Sequence, residues 1–251
     1  MSVGSDGSGD VGVPAEVVFA YLDEPPFCWP GADGRPHGCD VEVAEAVLKA
    51  IGVERISTRL VTFAELMPGV AEGAWTINTP LFVTPERALQ VAFSRPVWSL
   101  ADGFMMRADN SRQLDSYRAI AANEMAVIGV VAGQVQHQSA LAAGVPTART
   151  RLFATQKAAV EAVLSGVVDA YASVAMAHRG YLREHVDIRL EVIDLGVEGK
   201  AKPAVGAFSF ALSDVGLREA FDRQLAAYLG SPEHVAIMER HGFSHAEIVG
   251  A

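Results

Sequence analysis

The sequence predicts an α/β protein with largely parallel strands, and three observations carry that expectation. Short apolar runs rich in Val, Ile and Phe alternate with segments of helical period, the pattern of strands covered by crossover helices. A length of 251 residues suits one large domain or two modest lobes with a sizeable core. Beyond a Gly/Ser/Asp-rich N-terminal tail, neither an internal repeat nor a low-complexity tract breaks the alternation.

The elements follow in chain order. Residues 16–22 predict the first strand. A helix is expected over 41–51, with Asp40 as its N-cap, Val43, Ala44, Val47, Leu48 and Ile51 on its apolar face, and Gly52 as its stop. Between them, Trp29-Pro30-Gly31-Ala32-Asp33-Gly34 reads as a hairpin turn. Cys28 and Cys39 flank it, either bridged or as two half-buried thiols. Further strands are expected at 57–62, 75–79, 103–106, 126–131, 169–173, 190–195 and 206–212, with helices at 134–143, 156–165 and 214–229. Near the C-terminus, Ser231-Pro232-Glu233 writes a cap, a first-turn proline and an acid, and Ser244-x-x-Glu247 is a capping box.

Charge narrows the partners. With 20 Lys+Arg against 30 Asp+Glu the net charge is −10, the wrong field for nucleic acid or an anionic membrane surface. No run approaches the ~18 apolar residues that span a bilayer. The N-terminus shows no basic n-region and no apolar h-region, so no signal peptide is visible: the chain is cytosolic, or its export signal was lost or removed. Two cysteines cannot make a four-ligand zinc site, and the seven histidines read as scattered surface residues. Gly7-x-Gly9-x-x-Gly12 spells a dinucleotide fingerprint, but no strand precedes it. Neither a phosphate-binding Gly-Lys-Ser/Thr loop nor a Gly-x-Ser-x-Gly elbow occurs. No metal or cofactor is implied.

One constellation is sharper. Thr84-Pro85-Glu86-Arg87 starts a helix directly after the extended segment 78–83: Thr caps, Pro takes the first helical position, and Arg lies one turn inside. Such a junction at the carboxyl end of a parallel sheet is where α/β folds bind ligands. Its N–H groups and guanidinium suit a carboxylate; the alternative is a surface Arg paired with a neighbouring acid.

Together with other motifs in the same order, this junction resembles the type 2 periplasmic solute-binding proteins that deliver amino acids and related zwitterions to ABC importers. Asp23-Glu24-Pro25-Pro26-Phe27 resembles the family's first-strand motif, and Gly38-Cys39-Asp40-Val41-Glu42-Val43-Ala44 its Gly-Phe-Asp-x-Asp-x-Ala. Phe63-x-x-Leu66-x-Pro68-Gly69, then Gly73, lead into the Arg87 junction, and Val91-x-Phe93-Ser94-x-Pro96 follows. Later, Ile128-Gly129-Val130 with Gly133-Gln134-Val135-Gln136, and Gly166-Val167-Val168-Asp169-Ala170, stand at family positions.

The resemblance implies a two-lobed fold, each lobe a mostly parallel sheet flanked by helices, joined by two crossover strands. Residues 1–14 would be a flexible tail, 15–105 with 206–251 the first lobe, and 106–205 the second. A hinge near 104–107 and 203–208 would close them on a ligand. Arg87 inherits the carboxylate, with Thr79 beside it. Phe27, Phe63 and Phe82 line the cleft, Glu24 is the anion for a cationic group, and Gln134 and Gln136 add hydrogen bonds from the opposing lobe. Thr76 stands where the family has Asp, and the segment from there to Thr84 is one residue short. Ser173-Val174 stands where amino-acid binders place an Asp for the α-ammonium. That favours ectoines, betaines or apolar amino acids, unless Glu24 takes the ammonium from the opposite side. The resemblance further implies a monomeric, periplasmic, non-catalytic partner of an ABC permease. Its alternatives are an enzyme resembling cyclohexadienyl dehydratase, with Glu24 and His178 as the proton-transfer groups on offer, and a cytosolic ligand-sensing module.

Overall fold

The computed structural model describes residues 12–109, 113–186, 189–196 and 204–250. The glycine string at 7–12 falls almost wholly outside them.

Two sheets organise the chain. In the first, strands run in the order Arg55–Leu60, Glu16–Tyr21, Ile77–Phe82, Ala204–Phe210, Ala92–Phe93, with Trp98–Leu100 also paired to Ala204–Phe210. The second runs Thr150–Phe153, Ile128–Val131, Ala170–Val174, Asp102–Arg107, Leu190–Asp194. In each, three neighbouring strands are parallel and the strands next to the crossovers are antiparallel. The parallel ladders need covering helices, and Cys39–Ala50, Phe63–Ala71, Gln156–Leu164 and Val215–Tyr228 supply them.

The chain passes from the first sheet to the second between Leu100 and Asp102, and returns between Asp194 and Ala204. The expected boundaries at 105/106 and 205/206 therefore fall inside strands, and are corrected to these two connections. Strand signals carry no mark of which sheet a strand joins.

Several local expectations shift. The helix after the hairpin begins at Cys39 with Gly38 in the cap position, so Asp40 is not an N-cap. Gly38 has φ +125, and a Cβ there would lie 2.1 Å from the Phe27 carbonyl oxygen. Only glycine lets the two backbones meet, and the Asp40 N–H then donates to that oxygen at 3.0 Å. The strand expected at 75–79 runs instead over Ile77–Phe82, wholly buried. Pro80 has no N–H for the ladder; between Leu81 and Asn78 this strand takes three steps against two from Ala207 to Ser209. This bulge lies at Thr79–Pro80.

Glu247 Oε2 accepts from the Ser244 N–H at 2.8 Å and from its hydroxyl at 2.7 Å, one half of the expected capping box, yet no helix follows, and Ile248 bridges Trp98 instead. His178 and His234 are fully buried, not surface residues. Cys28 and Cys39 are both free and buried. Helix Ala175–Glu184 was not anticipated; its Gly180 faces the Glu24–Phe27 loop, where a Cβ would lie 2.4 Å from Pro26 Cδ. Among the described residues no helix is long and apolar enough to cross a membrane, and no cluster of His, Cys, Asp and Glu could hold a metal ion.

Candidate functional site

The carboxyl ends of the parallel strands of the two sheets face one another, and between them lies a narrow cleft. That is the place expected of a small-molecule site in an open α/β sheet. All eight residues expected there, Glu24, Phe27, Phe63, Thr79, Phe82, Arg87, Gln134 and Gln136, line it. Glu24, Phe63 and Gln134 also border a second, wider cavity beside it.

Arg87 reaches the cleft from a single helical turn, Pro85–Ala88, whose cap Thr84 accepts from the Arg87 N–H at 3.2 Å. Its guanidinium donates to the Phe82 carbonyl at 2.7 Å and to the Gly133 carbonyl, on the opposing side, at 2.9 Å. It lies 5.5 Å from the centre of the Phe63 ring. Burial lowers its pKa to about 10, still far above neutrality, so the charge persists. Among the described residues no carboxylate pairs with it.

The acids complement it. Glu24 follows the first strand, and its Oε1 accepts from Gln134 Nε2 at 3.1 Å and from Ser173 Oγ at 3.4 Å, both across the cleft. Burial pushes its pKa up to about 7, against the opposing effect of those two hydrogen bonds. Asp40 is the site residue that the sequence reading misplaced as a helix cap. It lines the cleft, its carboxylate accepting from Thr79 Oγ1 at 3.1 Å and from Trp98 Nε1 at 3.2 Å. Burial raises it, too, to about 7. Neither acid has a cationic partner among the described residues.

The aromatic wall holds one ring beyond those expected. Trp98 packs between Phe27 and Phe82 with ring centres 5.4 Å and 5.5 Å away. Nothing beside it in the sequence marks it, because its neighbours come from distant segments. Gln134 and Gln136 come from the second-sheet side as expected, but both side-chain amides are engaged: Gln134 with Glu24, and Gln136 with Asp102 Oδ1 at 2.8 Å. His178 lies outside the cleft, its Nε2 against the Gly103 carbonyl at 3.1 Å.

The cleft thus brings together one unpaired guanidinium, two desolvated carboxylates and an aromatic wall. The chain is 27% identical over 232 residues to the "Probable amino-acid ABC transporter periplasmic-binding protein y4tE" of Sinorhizobium fredii, a match spanning 90% of this chain and 77% of that one. Its fold superimposes on EhuB, solved in complex with hydroxyectoine, with TM-score 0.84 and 32% identity over 92% of this chain and 89% of the other. An ancestral arginine-binding protein bound to glutamine gives TM-score 0.81 at 19% identity, covering 92% of this chain and 99% of that one, which shows the shared two-lobed fold. The sequence profile of the bacterial extracellular solute-binding proteins, family 3, matches residues 17–244, and the chain belongs to that family.

Proposed function

We propose that the cleft clasps a small carboxylate-bearing zwitterion, ectoine before the amino acids, and that the chain hands it as a periplasmic monomer to the permease of an ABC importer. The observation that carries this reading is the charge pattern: a buried guanidinium without an anion and two buried carboxylates without a cation, in one aromatic cleft. A zwitterion supplies both missing partners at once.

Arg87 takes the ligand carboxylate through its planar fork. Glu24 faces the cationic head, and Phe27, Phe63 and Phe82 present ring faces to it, each contributing roughly 0.5–2 kcal/mol once water is excluded. Gln134, Gln136 and Ser173 complete the opposing wall. Residues 15–100 with 204–250 make the first lobe and 102–194 the second, and the hinge includes Ala101. Likeness to the hydroxyectoine-bound EhuB supports the ligand class.

Thermal-shift titration with ectoine, hydroxyectoine, glutamine, lysine and arginine tests this, since a ligand of the folded state raises the melting temperature by mass action. Ectoine-type compounds should give the largest shift, and solution scattering should show compaction with them. Micromolar binding of lysine or arginine with none of ectoine would overturn the ligand class. Turnover of cyclohexadienyl acids would overturn the non-catalytic reading.

A further inference from the structure

The hydroxyl of Thr79 has its direction set by its surroundings. Its Oγ1 lies 3.1 Å from Asp40 Oδ2, and an ionised carboxylate has no proton to give, so Thr79 is the donor. Cys28 Sγ lies 3.6 Å from the same oxygen. Burial keeps that thiol protonated, and with the Thr79 proton committed to Asp40 the thiol is the donor of this contact, taking one of the two Oγ1 lone pairs. Thr79 has therefore turned its single proton inward, towards Asp40. What it offers the cleft is a lone pair. A ligand carboxylate carries no hydrogen and gains nothing from it; a ligand N–H does.

We propose that Asp40, acting through Thr79, is a positioning residue that makes the cleft select cationic heads bearing an N–H, such as an amidinium, over fully alkylated ones such as a trimethylammonium. This rests on the zwitterion reading above and adds the chemistry of the head. Aromatic faces alone do not discriminate, because both heads are weakly hydrated cations of similar size. The acceptor does.

The same geometry makes the selection sensitive to pH. The groups facing Asp40 are Thr79, Trp98, the Cys28 and Cys39 thiols and, through space, Glu24, with Arg87 lining the same cleft. Trp98 Nε1 and Cys39 Sγ both donate to Oδ1, so a proton taken up by Asp40 resides on Oδ2. Asp40 then donates to Thr79, whose own hydrogen is free to turn into the cleft, and the acceptor becomes a donor. With Asp40 held near 7 by burial, N–H selection is present above that pH and fades below it. Glu24 titrates in the same range, and its carboxylate also accepts from an N–H, so the ratio is read in Glu24→Gln, where Asp40 is the buried acid of the cleft left to titrate.

The experiment is calorimetric titration of the full chain with ectoine and with glycine betaine at pH 6 and pH 8, first in the wild type and then in Glu24→Gln, which is the background for the variants below. Ectoine should be preferred by roughly ten-fold or more at pH 8, the worth of one hydrogen bond to a charged donor, and by less at pH 6. In Asp40→Asn the amide oxygen must accept from Trp98, so the NH2 faces Thr79; the ratio at pH 8 should fall to the pH 6 value and lose its pH dependence. Thr79→Val should lower the pH 8 ratio and remove its pH dependence, and Asp40→Asn added to it should change the ratio no further. A ratio unchanged in Asp40→Asn, or still pH-dependent there, overturns the inference while leaving the zwitterion reading intact. If Asp40→Asn fails to fold, the Glu24→Gln ratio at the two pH values and Thr79→Val decide alone. Failure of both ligands to bind the wild type removes the zwitterion reading, and this selection with it.

Discussion

The two walls of the cleft differ in kind. The first-sheet side supplies every charge and every ring: Glu24, Asp40 and Arg87, with Phe27, Phe63, Phe82 and Trp98. The second-sheet side supplies neutral hydrogen-bonding groups, Gln134, Gln136 and Ser173, with the Gly133 carbonyl. Charges and rings recognise a zwitterion wherever they find it, whereas neutral amides contribute only once the walls meet. Contacts that already join the walls, Gln134 and Ser173 to Glu24 and Arg87 to Gly133, are of this second kind. On the proposed reading, ligand docks on the first wall and the second closes over it.

The largest test of that asymmetry is Arg87→Lys. Lysine keeps the charge but not the planar fork, and disrupting one member of a buried charged pair costs roughly 2–5 kcal/mol, thirty-fold to several-thousand-fold in affinity. Calorimetry with ectoine should show a loss in that range; a change of less than a few-fold would make Arg87 a structural residue.

Next comes the stability of the empty protein. Glu24 and Asp40 have folded pKa values near 7, raised by burial above their ordinary carboxylate values. The folded state binds protons more tightly than the unfolded chain, so their contribution is fully present below the unfolded values near pH 4 and is lost as pH rises to about 7. His178 works the other way: burial lowers it to about 4, and its contribution is lost as pH falls from 6.5 towards 4. Two carboxylates outweigh one histidine over that window, so the ligand-free melting temperature should fall from about pH 5 to pH 8. Glu24→Gln should recover part of that fall, of the order of 1–3 kcal/mol, while weakening ligand binding. A melting temperature flat from pH 5.5 to 8 in both proteins would show that these acids are not desolvated.

On the opposing wall, Gln134→Ala removes one hydrogen bond to Glu24 and should weaken ectoine by about 1–2 kcal/mol, less than Arg87→Lys. Equal losses would erase the distinction between the walls.

Legibility followed the distance over which each feature is written. Thr84-Pro85-Glu86-Arg87 is four adjacent residues, and its cap forms as read. Phe27, Phe63 and Phe82 reached the cleft only through family resemblance, since aromatics at strand ends are ordinarily core. Asp40 was misread because an acid before an apolar run spells a helix cap, whereas its partners Thr79 and Trp98 lie 39 and 58 positions away. Helix Ala175–Glu184 lacks a capping side chain and directly continues a buried strand, so no punctuation announced it. Strand Thr150–Phe153 is a short edge with two exposed residues, which leaves no alternation to detect.

The smallest expected effect probes how the walls move. Arg179 donates to Asp194 Oδ2 at 3.1 Å and to Glu247 Oε1 at 2.6 Å. Asp194 ends the last strand before the second crossover, and the Glu247 carbonyl accepts from Ser99 N–H at 3.0 Å, just before the first. One guanidinium thus spans both connections between the sheets without touching the cleft. All three side chains are partly exposed, so the triad is worth at most about 1 kcal/mol. Arg179→Ala should leave the ligand-bound affinity within a few-fold and loosen the empty protein, visible as a larger radius of gyration without ligand and an unchanged one with it. An equal expansion in both states would place Arg179 in the general packing of the molecule. A loss of affinity as large as that of Gln134→Ala would mean that the second wall's contribution is made at the hinge and not at its hydrogen bonds.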